Sequence, residues 1–170
     1  MAPVAPVYRL PWMFQSAQMK IFIDRTVAVP PFSGVQNAAL RESEALQAAM
    51  PEDEVVQCGF GEGCALKPPF PARKAAFRIL WQQTALPALL KRAGADVLFS
   101  TAYTCPLRSP VPTVLHVHDT IAIDRPELCS TLNAMHMKAL MPASIRRPST
   151  THIPANSISD ACFEDVPMKA

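Results

Sequence analysis

ADVLFSTAYTCPLRSPVPTVLHVHDTIAIDRPEL, residues 95–128, is the stretch from which the fold is read. It holds two short apolar runs, Asp96 to Ser100 and Pro112 to Asp119, each ending abruptly in polar residues. Runs of this length, rich in Val, Leu and Phe and bounded by Pro and Ser, predict strands buried on both faces. Helical patterns precede the first run and follow the second, which predicts an α/β layer architecture built on a parallel sheet. Ligands of such sheets bind beyond the carboxyl ends of the strands. His118 and Asp119 fall at such an end and are the leading candidates for function.

Working outward, Ala72 to Ala93 carries apolar residues at Phe77, Leu80, Trp81, Ala85, Ala88 and Leu89, near helical spacing. Pro87 lies inside it and predicts a kink or break, and Gly94 supplies a C-terminal cap. Upstream, Glu54 to Cys58 predicts a strand, and Gly34 to about Met50 a helix with Val35, Ala38, Ala39, Leu46, Ala49 and Met50 as its apolar stripe. Met19 to Asp24 predicts the first strand, and Pro30-Pro31 blocks a helix between them. Downstream, Ser130 or Thr131 caps a helix to about Ile145, His152 to Ala155 is a weak strand, and Asn156 or Ser157 opens a short closing helix. The proline-broken segment 1–18 is read as a flexible extension, with Met19 a plausible natural start. Residues 19–170 form one domain.

Composition narrows the function. The 170 residues are 49% hydrophobic, enough for one cored domain. A net charge of +2 is too balanced to imply nucleic acid as a partner. Cysteines at 58, 64, 105, 129 and 162 form no CxxC pair and no zinc-finger spacing, so free thiols in a reducing, cytoplasmic setting are expected. No segment has the apolar length of a membrane span.

Alternation places His116 and His118 on one strand face. Two imidazoles so placed suit zinc, but a third ligand is needed, and neither His136 nor His152 has supporting spacing. The same pair reads also as hydrogen-bonded packing at the sheet top, and the leading reading has His118 facing a ligand cleft with Asp119 in support. Gly34, at a strand-to-helix turn, would allow an anion close to helix N–H groups, although no phosphate-binding glycine motif surrounds it. Trp81 and the Met-bearing helix 131–145 read as core.

RILWQQTALPALLKRAGADVLFSTAYTCPL followed by SPVPTVLHVHDTIAIDRPEL resembles the amino-terminal half of family 4 (group 1) glycosyltransferases. In that family a helix ending in an LP..L pattern leads to DV.HS..Y..PL and then P.V.T.HDL....P. MKIFID with the later SGVQN, and Ala155-Asn156-Ser157, fit the same order, so the likeness spans roughly residues 19–165. The resemblance implies a GT-B architecture of two Rossmann-like domains, here the N-terminal, acceptor-side one with the C-terminal domain absent. It implies metal-free, cofactor-free, retaining transfer from a nucleotide-sugar donor to a glycan or lipid-linked acceptor. A separate C-terminal half and peripheral contact with the inner membrane face are implied partners. His118 matches the active-site histidine against the transferred sugar and Asp119 its neighbour, while Gly34 and Tyr103 match substrate-binding positions. Val35-Gln36-Asn37 after Gly34, and His116, depart from the pattern. Two other expectations compete: a non-catalytic binding or scaffold domain, and a metal-dependent hydrolase built on His116, His118 and Asp119.

Overall fold

The computed structural model describes residues 18–69 and 76–147, with the backbone alone of residues 75 and 150–152. The closing helix expected after Asn156, and the extension expected over 1–18 (Gln18 excepted), lie outside the described residues. Five parallel strands form one sheet in the order β2-β1-β3-β4-β5: β1 Lys20–Arg25, β2 Glu54–Gly59, β3 Val97–Ser100, β4 Thr113–His116 and β5 Thr150–His152. The chain steps outward from β1 to β2, then passes back over β1 to β3, so the strand order reverses between β1 and β3. A reversal of this kind opens a crevice at the carboxyl edge, where doubly wound sheets place their ligands.

Helices cover both faces, as right-handed crossovers require. Helix α1 (Gly34–Ala49) lies on one face, and α2 (Ala75–Leu80), α3 (Leu86–Ala93) and α5 (Thr131–Ile145) on the other, with the single turn α4 (Ile121–Asp124) between β4 and α5. Phe22, Cys58 and Leu98 from the strands pack with Trp81, Leu86 and Leu90 in one core cluster. Leu115 and Val117 pack with Cys105, Met141 and Ile145 in a second. β1 is buried along Ile21 to Arg25, as a central strand must be.

Three expectations are corrected. The break expected near Pro87 lies just ahead of it and takes the form of a π turn, residues Trp81–Ala85, closed by the Leu86 N–H donating to the Trp81 carbonyl. Proline cannot donate the bond that an α-turn would ask of it, and the wider turn accommodates that loss. The extra residue shifts the apolar stripe by one position. Phe77 and Leu80 are therefore exposed, while Leu86 and Leu90 take the buried face beside Trp81. Next, the α1 stripe is not purely apolar. Ala39 and Ser43 are its buried residues, the Ser43 hydroxyl donates to the Ala39 carbonyl at 2.6 Å, and Ala49 is exposed. Finally, β4 ends at His116, one residue past its last partner on β3, the pair Ser100 and Leu115. His118 and Asp119 thus sit on a turn beyond the strand, where Asp119 Oδ1 accepts the Ile121 N–H at 3.0 Å.

Candidate functional site

A cavity of about 120 Å³ opens at the carboxyl ends of β1 and β3, at the reversal point of the sheet. Asp24 and Thr26 contribute from β1 and the residues just after it, Thr101 to Thr104 from the turn after β3, Arg78 and Gln82 from α2 and the π turn, and Asn133, His136 and Met137 from α5. Asp24 anchors the floor. Its Oδ1 accepts the Thr26 N–H at 2.9 Å and the Thr26 hydroxyl, and its Oδ2 accepts from Gln82 Nε2 at 2.7 Å and the Ser100 hydroxyl at 3.3 Å. Burial pushes the Asp24 carboxyl above its ordinary range, against these hydrogen bonds from Gln82, Thr26 and Ser100.

The π turn explains how two adjacent glutamines serve one edge. Gln82 Nε2 also donates to the Thr104 carbonyl at 3.0 Å. Gln83 Nε2 donates to the Cys105 carbonyl at 3.0 Å, and its Oε1 accepts the Leu107 N–H at 3.0 Å. Together they fix the turn after β3, including Tyr103, the one described non-glycine residue with positive φ, at 45°. Such a backbone is costly for a bulky side chain and marks a place held by its surroundings.

Tyr103 lines the cavity and connects it to the sequence-predicted pair. Its hydroxyl donates to Asp119 Oδ2 at 2.7 Å, and burial, with Asp119 beside it, raises the phenol well above its ordinary value. Its ring meets the His118 ring edge-on, centroids 5.8 Å apart. His118 itself does not line the cavity. Its Nε2 lies 2.8 Å from the Thr101 carbonyl and its Nδ1 faces Glu42 of α1, so both ring nitrogens meet protein atoms. Gly34 opens α1 as an exposed residue with nothing within 4 Å of where a Cβ would lie, and it too lies outside the cavity lining. The structure therefore joins Tyr103, His118 and Asp119 and leaves Gly34 apart.

Sequence reasoning missed Asp24, Gln82 and His136. The Gln82-Gln83 pair directly after the apolar run Ile79-Leu80-Trp81 was a readable signal for one of them. His136 was set aside for want of metal spacing, and helix 131–145 was read as core, yet Asn133, His136 and Met137 line the cavity. Burial first, and the Arg78 cation second, lower the His136 pKa. The unfolded chain consequently takes up a proton near pH 6.5 that the native one refuses. Thermal stability is expected to fall as pH drops below that value, and His136→Gln to flatten the fall. A calorimetric pH series on both chains checks this.

The carboxylate grouped with His116 and His118 is that of Glu42, while Asp119, expected in that place, accepts from Tyr103. Cys58, Cys64, Cys105 and Cys129 are free thiols, as expected. Burial pushes the Cys105 thiol up to about 11, despite a hydrogen bond to Ser144. Among the described residues no helix is long and apolar enough to cross a membrane.

Fold and site together define an α/β protein with a Rossmann-like parallel sheet and a cavity of mixed polar and apolar lining at its switch point. Comparison with protein-family models, with curated proteins and with solved structures finds no match to this chain.

Proposed function

We propose that this chain is the acceptor-side domain of a retaining glycosyltransferase, which moves a sugar from a nucleotide-sugar donor to a glycan or lipid-linked acceptor. The observation that carries this reading is the chemistry of the switch-point cavity. Guanidinium, amide, imidazole, hydroxyl and phenol groups line it. His136 Nε2 is buried there without a hydrogen-bond partner among the described residues. An apolar ligand would strand such groups, whereas a polyhydroxylated one both donates and accepts. The cavity is smaller than the roughly 300–1,000 Å³ clefts that enclose whole ligands, and so suits one wall of a cleft shared with a donor-binding domain. His118 and Asp119 act at the rim by holding Tyr103 against the acceptor, and contact with the transferred sugar passes through that phenol. Leu128, Leu132 and Met135 stand exposed around the start of the helix that carries Asn133 and His136. Apolar side chains in that place favour a lipid-linked acceptor presented at a membrane surface.

One wall alone neither excludes water nor aligns two substrates. The chain incubated with nucleotide sugars and acceptor is therefore expected to transfer little, and to transfer sugar when a donor-binding domain is added. Robust transfer by the chain alone would overturn the division of labour. Failure to bind any saccharide, alone or paired, would overturn the glycosyltransferase reading.

A further inference from the structure

On the opposite face of the sheet from the cavity-lining helices, Glu42 of α1 meets both histidines that follow one another along β4 and its turn. His116 Nδ1 lies 2.8 Å from Glu42 Oε1 and His118 Nδ1 lies 3.9 Å from the same oxygen. The imidazole rings overlap with centroids 4.2 Å apart. We propose that Glu42, His116 and His118 form a binding site for one divalent cation of the zinc class, independent of the switch-point cavity and of the reading given to it.

Three features converge on this assignment. The first is donor chemistry: two imidazoles and one carboxylate suit zinc and its neighbours rather than magnesium or calcium. The second is the state of His118. A carbonyl only accepts, so the contact with Thr101 places the proton on Nε2 and leaves Nδ1 of the neutral ring as a bare lone pair. That lone pair looks toward the Glu42 carboxylate 3.9 Å away, a pairing that a shared cation would satisfy. An imidazole whose far N–H is held by a backbone carbonyl is also how metal-ligating histidines are oriented. The third is Glu42 Oε2, which is buried without a hydrogen-bond donor. Ligands about 2.0–2.1 Å from a tetrahedral zinc stand roughly 3.3 Å apart. The separations of 2.8 and 3.9 Å straddle that value, and one ligating atom from each residue lies within 4.8 Å of the others. The side chains keep 14–24% of their area exposed, which leaves an approach for the ion and for a water as fourth ligand. A bound cation would tie α1 to the end of β4.

The test uses the full chain, stripped with chelator and titrated with Zn²⁺, and with Co²⁺ as a spectroscopic probe. One equivalent is expected to bind, to raise the melting temperature, and to give tetrahedral cobalt bands without thiolate charge transfer. Glu42→Gln or His118→Gln should each weaken binding by at least about 100-fold, more than is typical for loss of an outer-shell partner. Cys64→Ser and Cys129→Ser should leave it unchanged. Should the variants fold poorly, ring-nitrogen NMR of the unaltered chain decides, since zinc should move the Nδ1 signals of His116 and His118 and leave those of His136 in place. No binding, binding that follows the cysteines, or zinc shifts confined to other histidines would overturn the proposal and leave the cluster a proton-held pair.

Discussion

Replacing Asp24 by alanine is expected to destabilise the domain by about 3 kcal/mol and to abolish saccharide binding at the sheet edge. The carboxylate receives donors from Thr26, Gln82 and Ser100, and its own backbone carbonyl accepts the Thr101 hydroxyl at 2.8 Å. Alanine keeps the last of these and leaves Ser100 its Thr104 carbonyl at 2.9 Å, but it strands the Thr26 donors and one Gln82 N–H in a buried place, where each unmet donor carries its desolvation cost. Gln82 Nε2 would lose one of its two acceptors, and the turn bearing Tyr103 would be tied to β1 by the Thr101 contacts alone. Asp24→Asn should cost less, since burial already favours the uncharged form of this group. The native chain holds this proton more tightly than the unfolded one. Stability should therefore decline as pH rises from the ordinary carboxylate value of 3.8 through the raised native one. Asparagine should remove that slope. Equal melting temperatures for the alanine variant and the parent would show that the network is not structural.

Trp81→Ala is expected to cost still more, roughly 3–5 kcal/mol, a large part of the stability of an ordinary domain. The indole is 1% exposed, packs with Phe22, Leu86, Leu90 and Leu98, and meets the Phe60 ring edge-on at 6.0 Å. It also opens the π turn, so the cavity it leaves lies under the segment that aims Gln82 and Gln83. Denaturant unfolding should show a lowered midpoint with an unchanged slope. A midpoint within error of the parent would mean that the turn, rather than the core beneath it, holds these helices.

How far the sequence reaches can be judged residue by residue. Strands β1 to β4 were legible because buried parallel strands are short, apolar and bounded by Pro, Gly and Ser, whereas β5 runs over Thr150–His152 and the strand expected at His152 to Ala155 shares only His152 with the described residues. Gly94 was legible as a cap because only a left-handed residue ends α3, and its φ is 65°. The break near Pro87 was legible in place but not in form. Proline announces a missing donor, and only the packing of Trp81 and Leu86 selects a π turn over a kink. His118 and Asp119 were found at the carboxyl edge. The turn of Asp119 toward Tyr103, and of His118 toward α1, depends on contacts between distant segments that no local pattern encodes. Glu42 was invisible for the same reason. On a helix it reads as one more solvated charge until β4 is laid against it.

The central claim is that a saccharide acceptor sits at the switch point between β1 and β3, and amide shift mapping tests it most directly. A lipid-linked or free oligosaccharide titrated into isotope-labelled chain should move the signals of Thr26, Gln82, Thr101 to Thr104, Asn133 and His136 together, with one saturation curve. Shifts confined to α1 and β2, or none at saturating saccharide, would contradict the account.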